Sequence, residues 1–160
     1  MAVSTRSAIV TLPTDEQILV TREFDAPAHL VYEAYTTPEH IRRWWHAKRG
    51  EMTIAEVDLR VGGRWRYVMV TPDGSEVAFH GEFREIVPNE RLVSTEVYEG
   101  MRGAEALDTA TFTEVDGRTT LTILTQLKSK AHRDGYIDAG MEDGLQDALD
   151  LLDELAVALR

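Results

Sequence analysis

The polar side chains that could carry acid–base chemistry in this chain are few, and they are His46, His80 and Glu85. Side chains alternate between the two faces of a strand, so His80 should point outward and Glu85 inward, unless a bulge intervenes. An inward carboxylate would have a raised pKa or an arginine partner, and Arg64 is the arginine considered for that pair. Such a pair is more typical of a structural contact than of a catalyst. No nucleophile stands at a spacing that would complete a dyad, so no catalytic residue is predicted.

Metal and cofactor sites are not predicted either. The five histidines form no H-x-x-x-H or H-E-x-x-H pair, and the chain has no cysteine, which excludes disulfides, thiol nucleophiles and cysteine zinc sites. Gly62 and Gly63 are not followed by the helix and the Lys-Ser/Thr pair of a phosphate-binding loop. The sequence therefore predicts no cofactor and no metal.

Aromatic and methionine side chains form a more coherent group. In the stretch 64–70, Arg64 and Arg66 share one face and should meet solvent, so the aromatic face should turn inward. Such side chains make an adaptable apolar lining, although each of them alone is more typical of an ordinary core. These residues alone do not show whether the interior is hollow. The side chains that would line a cavity there are Trp44, Trp45, His46, Trp65, Tyr67, Met69, Phe79, Phe83, Phe112, Met141 and Leu145, with Arg64 and Glu85 as candidate polar groups.

Charge and composition limit the partners. The formal net charge of −11 repels phosphate backbones and anionic head groups, which argues against nucleic acid and membranes as partners. The basic run at residues 42–49 is most simply a solvated rim. The sequence contains no signal peptide and no run long enough to span a membrane, so a cytoplasmic protein is predicted. The oligomeric state is left open between a monomer and a homodimer.

The first part of the chain predicts a strand and two short helices. The stretch 17–24 is β-prone, and Asp25-Ala-Pro27 ends it. Pro27 suits the first turn of a helix, where its missing N–H costs nothing. A second helix begins at Thr37-Pro38-Glu39, which combines an N-cap residue, a proline at the first helical position and a favourable acidic charge.

The rest of the chain predicts consecutive strands followed by a long helix. Strands run from about residue 52 to 126, and tight turns join consecutive strands in an antiparallel sheet. A polar connection at 128–135 leads to a helix with one apolar stripe between Met141 and Leu159. The sheet is the large surface that can bury this stripe, so it must curve around the helix. The prediction is an α+β fold with a single domain over residues 10–160 and an N-terminal extension over residues 1–9.

Several stretches resemble, in order, the bacterial homologues of the heat-shock-protein-90 ATPase activator C-terminal domain, a family of the START-like (SRPBCC) superfamily. Each motif alone is weak, but their order and spacing together are specific. The resemblance implies the helix-grip fold, a seven-stranded antiparallel sheet around a long C-terminal helix, with a cavity that takes lipids, polyketides or other apolar molecules in many relatives. The matching stretches are Asp25-Ala-Pro27, Tyr35-Thr-Thr-Pro-Glu-His40, Arg43-Trp-Trp45, Asp58-Leu-Arg-Val-Gly-Gly-Arg64, Gly74, His80-Gly-Glu-Phe-Arg-Glu-Ile-Val-Pro88, Glu90-Arg-Leu92 and Gly140-Met-Glu-Asp-Gly-Leu145.

Three functions are compatible with these observations. The first is binding of an apolar or aromatic small molecule between the sheet and the C-terminal helix. The second is a cyclase- or hydrolase-type enzyme that uses the same cavity and needs a polar pair inside it, such as Glu85 with Arg64 or with a tyrosine hydroxyl. The third is a chaperone partner, as the family resemblance implies, although the chain lacks the extra N-terminal domain of the eukaryotic activators.

Overall fold

The computed structural model describes residues 7–46, 48–101, 103 and 105–160. In these residues the strands form one antiparallel sheet in the order β1-β2-β8-β7-β6-β5-β4-β3. The predicted α+β architecture, a curved antiparallel sheet with a C-terminal helix, is confirmed. The elements are β1 (Ile9–Thr11), β2 (Gln17–Phe24), α1 (Ala28–Thr36), α2 (Pro38–Trp44), β3 (Glu51–Val57), β4 (Arg64–Val70), β5 (Glu76–Val87), β6 (Arg91–Tyr98), β7 (Glu105–Val115), β8 (Arg118–Gln126), α3 (Lys130–Asp138) and α4 (Met141–Ala158).

The two short helices begin where their prolines predict. Pro27 is the extended N-cap residue of α1, and Pro38 occupies the first turn of α2 with Glu39 beside it. Helices α1 and α2 follow β2 directly, and both contact α4. Helix α1 also contacts β7 and β8, and α2 also contacts β3, so the two short helices connect α4 to the sheet.

Strand β1 is an addition to the predicted seven-stranded sheet. It pairs with β2 through Ile9 opposite Thr21, and the preceding Ala8 is buried. The Ala8 N–H donates to Oε1 of Gln146 at 2.9 Å, and the Gln146 amide donates back to the Ala8 carbonyl at 2.7 Å. These bonds attach the start of β1 to α4. Of the predicted N-terminal extension, residues 1–6 lie outside the described residues.

Helix α3 corrects the polar connection that was predicted over residues 128–135. Ser129 caps this helix, because its hydroxyl accepts the N–H of His132 at 3.0 Å. Arg133 is buried and donates to the carbonyl of Thr14 at 2.8 Å. A cap and a long-range hydrogen bond thus stabilise a helix whose composition alone indicated a loop.

The core is solid at one end of the molecule and hollow at the other. Helix α4 packs mainly against α1 and α2, and its principal contact in the sheet is with β2. At that end Phe24, Val31, Leu121 and Leu152 are fully buried. Towards β4, β5, β6 and β7, the sheet and α4 border a cavity instead.

Candidate functional site

A cavity of about 760 Å³ lies between the sheet, α2, α3 and α4. The structure brings all of the predicted lining residues to its wall except Phe112, Arg64 and Glu85. A volume of this size is in the range of small-molecule sites, about 300–1,000 Å³. The predicted residues on the wall are Trp44, Trp45, His46, Trp65, Tyr67, Met69, Phe79, Phe83, Met141 and Leu145.

Aromatic rings in mutual contact form one side of the cavity. The Trp45 ring lies 5.3 Å from that of Tyr67 and 5.5 Å from that of Phe79, both edge to face. The Trp65 and Tyr67 centroids are 4.7 Å apart. Gly81 admits Trp65, since a Cβ there would lie 2.6 Å from the indole Nε1 and 1.8 Å from the backbone oxygen of Thr95. Rings that pack against one another in this way form a preformed aromatic wall for a ligand.

Trp44 and Phe112 show where the apolar wall continues into solid core. The Trp44 indole N–H donates to the carbonyl of Ala34 at 2.9 Å, and its ring stacks on Tyr35 at 5.5 Å. Phe112 lies behind Tyr35, 5.5 Å from that ring and 5.6 Å from Tyr32. Phe112 therefore supports the wall and is not part of its surface, which corrects its predicted position.

His46 borders the cavity in a conformation that is uncommon for a residue with a side chain. Its φ is 46°, and its ring meets Trp45 edge to face at 4.4 Å. Burial, with a smaller contribution from the Arg49 charge, lowers the pKa of His46 to about 4, so the ring is neutral at physiological pH. On α4, a Cβ at Gly144 would come within 3.1 Å of the imidazole. The glycine thus leaves the room that His46 occupies.

The two polar candidates from the sequence lie outside the cavity. Arg64 is exposed on the opposite face of β4, as the alternation of its strand requires. Glu85 is also exposed and pairs with Arg91, Oε1 to Nε, at 3.3 Å. The β5–β6 register shifts between Phe83 and Glu85, and this bulge turns the carboxylate outward. The prediction of Arg64 and Glu85 as cavity groups is therefore wrong.

A different pair of carboxyl groups, Glu96 on β6 and Asp108 on β7, lines the cavity. Thr125 donates its hydroxyl to Oδ1 of Asp108 at 2.7 Å, and Tyr136 on α3 donates to Oε2 of Glu96 at 3.3 Å. The two carboxyl groups are also hydrogen-bonded to each other. Since a carboxylate can only accept, one of the two must hold a proton.

Burial is the main cause of the unusual acidity of this pair. Desolvation raises the pKa of Asp108 to about 6, although its hydrogen bonds from Thr125 and Glu96 oppose that change. Desolvation, and then the charge of Asp108, raise the pKa of Glu96 well above its usual range. Because burial opposes a second negative charge in this site, the two carboxyl groups titrate as a unit and share one proton and one negative charge.

The groups around this pair are neutral tyrosines. Burial raises the pKa of Tyr35, Tyr67 and Tyr136, and the nearby carboxyl charges raise it further. Of the described residues on the cavity wall, Arg49 is the one with a permanent positive charge. Its partner is Asp147, at 3.9 Å, and both side chains are partly exposed. Within residues 7–46, 48–101, 103 and 105–160, no arginine or lysine forms an ion pair with Glu96 or Asp108.

The strand pattern of the sequence contains a signal for this pair. Phe112 was assigned inward, and the same alternation carried back along β7 places Ala110 and Asp108 on that face. In β6, Leu92, Ser94 and Glu96 share the cavity face in the same way. Register decides that the two carboxyls meet, since Ser94 is opposite Asp108 and Ala106 is opposite Glu96. That register could not be derived from either strand alone.

The described residues contain neither a candidate metal site nor a membrane-spanning helix. They contain no group of three or more histidine, aspartate or glutamate side chains that could hold a metal ion. Among the helices described, none has the length and apolar character needed to cross a bilayer.

Comparison with known proteins connects this architecture to a bacterial group. Residues 25–156 match the protein family described as activator of Hsp90 ATPase homolog 1-like protein. A crystal structure from Rhodobacter sphaeroides is 24% identical with a TM-score of 0.88, over 95% of this chain and 99% of that chain. Protein Ms6760 from Mycobacterium smegmatis is 26% identical with a TM-score of 0.82, over 96% of this chain and 99% of that chain.

A solution structure from Arthrobacter aurescens is 22% identical with a TM-score of 0.83, over 94% of this chain and 91% of that chain. The Rhodobacter and Arthrobacter proteins, at these identities, are evidence for a shared fold alone. No curated protein matches the chain.

Proposed function

Because the chain belongs to the activator of Hsp90 ATPase homolog 1-like family, and its sheet and α4 enclose a cavity, we propose that it binds an apolar or aromatic small molecule there. The observation that carries the proposal is the aromatic wall around about 760 Å³ of space. Apolar pockets with a few convergent polar groups are the usual form of small-molecule sites. The cavity combines such a wall with one carboxyl pair.

The tryptophans are intrinsic fluorescent probes of ligand binding in the cavity. All three tryptophans of the chain line the cavity, so a ligand that enters it should change their emission. We expect Nile red, a neutral dye that fluoresces in apolar surroundings, to bind saturably with one molecule per chain. Tryptophan emission should change in parallel with the dye signal.

A matched pair of variants locates the dye. Val57 and Val77 line the cavity, whereas Val61 and Val115 are 63% and 66% exposed. Val57→Phe with Val77→Phe should weaken Nile red binding by about tenfold or more, because two larger side chains occupy ligand space. Val61→Phe with Val115→Phe should leave it unchanged. Equal affinities in the two variants, or no saturable binding by the wild type, would refute the proposal.

An enzymatic role is the second candidate, and the carboxyl pair is the observation that favours it. The pair shares a proton beside a negative charge that can accept one, and general acid–base catalysis needs both kinds of group. In an ester hydrolysis, Asp108 would take a proton from the attacking water and Glu96 would give one to the leaving alcohol. The variants Glu96→Gln and Asp108→Asn should each slow the hydrolysis of 4-nitrophenyl hexanoate at neutral pH. Rates equal to that of the wild type in both variants would eliminate this candidate.

The other predictions concern partners, domain organisation and location. A chaperone-associated role is suggested by the family description alone. The single domain over residues 10–160 and the choice between a monomer and a homodimer stay predictions, and so does the cytoplasmic location.

A further inference from the structure

The carboxyl pair leaves hydrogen-bonding capacity that faces the cavity. Two carboxyl groups offer several acceptor positions. Protein donors to them are the Thr125 hydroxyl at 2.7 Å and the Tyr136 hydroxyl at 3.3 Å, besides the proton shared by the pair. Both carboxyl groups border the cavity, so a ligand there can reach the acceptor positions that remain. A ligand with N–H donors would satisfy them.

The pair is also a negative site without a positive partner of its own among the described residues. The titratable groups that surround it are Tyr35 from α1, Tyr67 from β4 and Tyr136 from α3, all neutral at physiological pH. Buried charges are ordinarily paired, because an unpaired charge in an apolar site is costly. Among the described residues, Arg49 is the one permanent cation on the cavity wall and pairs with Asp147, so none of them supplies the positive charge that a protein interior usually places beside a carboxylate.

We propose that the ligand of this cavity carries a protonated amine at one end of an apolar body, with the amine held between Glu96 and Asp108 and the body against the aromatic wall. This inference rests on the proposed small-molecule binding and adds the chemical class of the ligand. The ammonium supplies both the missing positive charge and the missing donors, which form charge-assisted hydrogen bonds with the carboxyl groups. A carboxylate-bearing ligand of the same shape would be repelled.

Three compounds with one carbon skeleton separate the charge from the shape. They are 4-phenylbutylamine, 4-phenylbutan-1-ol and 4-phenylbutanoate, each titrated by calorimetry at neutral pH. We expect the amine to bind about tenfold or more tighter than the alcohol, and the carboxylate to bind about tenfold or more weaker than the alcohol.

Isosteric variants assign that preference to the pair. In Glu96→Gln with Asp108→Asn, the amine should lose its advantage, while the alcohol should keep its affinity because the apolar wall is unchanged. Glu99→Gln is the matched control, since Glu99 pairs with Arg66 on the outer face of the sheet and should not affect the preference.

The outcomes distinguish this inference from the function on which it rests. If Nile red does not bind saturably to the wild type, small-molecule binding itself is refuted. If the alcohol binds and the amine binds no tighter, the ligand class is wrong and the binding function stands. If the amine keeps its advantage in the double variant, the amine is held elsewhere and the assignment to Glu96 and Asp108 is overturned.

Discussion

Glu96 and Glu99 are close neighbours in sequence at the end of β6, yet they lie on opposite faces of the sheet. On the outer face, Arg66 donates from Nε and Nη2 to the two oxygens of Glu99 at 2.9 and 3.0 Å, and His80 contacts Oε2 at 3.0 Å. This network, chiefly the Arg66 hydrogen bonds, lowers the pKa of Glu99 to about 2. On the inner face, burial and Asp108 raise the pKa of Glu96 instead.

The contrast is that, among the described residues, arginines pair with two carboxylates on the outer face of the sheet and with neither carboxyl group of the inner pair. Outside, Glu85 has Arg91 and Glu99 has Arg66. Inside, the donors found for Glu96 and Asp108 are hydroxyl groups. The inner face therefore holds polar groups whose ionisation weakens the fold, a pattern typical of functional sites. Four variants test this contrast, and the first of them alters the apolar wall beside the pair.

Trp44→Ala should have the largest effect. The indole is buried, stacks on Tyr35 and donates to the carbonyl of Ala34. Its loss should lower the free energy of unfolding by about 3–5 kcal/mol, because it creates a cavity and leaves the Ala34 carbonyl without its hydrogen-bond donor. Urea unfolding followed by circular dichroism measures this change. Val115→Ala on the exposed surface should change stability by less than about 0.5 kcal/mol, and similar values for the two variants would show that the inner wall is not rigidly packed.

Removing both inner carboxyl groups should stabilise the protein at neutral pH. In the unfolded chain these groups lose their protons near pH 4, whereas burial raises the pKa of Asp108 to about 6 in the folded state. The folded state then binds more protons than the unfolded state, so the wild type loses stability as pH rises from about 4 through about 6. Glu96→Gln with Asp108→Asn abolishes this loss.

Stability curves at several pH values measure the effect of that double variant. It should exceed the wild type by roughly 1–3 kcal/mol at neutral pH and match it below about pH 4. A double variant less stable than the wild type at neutral pH would mean that the pair is a structural network and that its ionisation is not unfavourable.

Glu99→Gln should have a smaller effect of the opposite sign. The pKa of Glu99 is lowered to about 2 in the folded state, so its ion pairs stabilise the protein above about pH 4 and that contribution is lost as pH falls towards about 2. Because solvent screens these partly exposed groups, the variant should lose at most about 1 kcal/mol at neutral pH. Urea unfolding at low and at high salt measures it, and the loss should shrink at high salt. A loss independent of both salt and pH would contradict an electrostatic origin.

Much of the fold followed from local patterns in the sequence. Strand alternation, the prolines at 27 and 38 and the apolar stripe of α4 were sufficient for the main elements and for the aromatic wall. Strand β1 is too short to show a periodicity, and it depends on pairing with β2 and on bonds from Gln146 to Ala8. Helix α3 depends on the Ser129 cap and on the contact between Arg133 and Thr14. Both elements are fixed by contacts that are distant in sequence, so local patterns did not predict them.

The candidate site also depends on contacts between residues that are distant in sequence. Period-two alternation placed Trp65, Tyr67 and Phe79 on the cavity wall, but it failed at Glu85, because one bulge reverses every assignment that follows it. Alternation also pointed to Asp108, although only the register between β6 and β7 brings Asp108 to Glu96. Polar groups in a cavity are therefore harder to predict than its apolar wall. A wall residue must only face inward, whereas a pair also requires one particular register between its two strands.

Glu85→Gln should have the smallest effect of the four. The carboxylate is about half exposed and its ion pair with Arg91 spans 3.3 Å, so its loss should change the free energy of unfolding by less than about 0.5 kcal/mol. It should also leave Nile red affinity unchanged, because the bulge after Phe83 directs this side chain away from the cavity. Urea unfolding and a dye titration measure the two quantities. A stability change above about 1 kcal/mol together with altered dye binding would place Glu85 inside, and the division between paired outer and unpaired inner carboxyl groups would then fail at this strand.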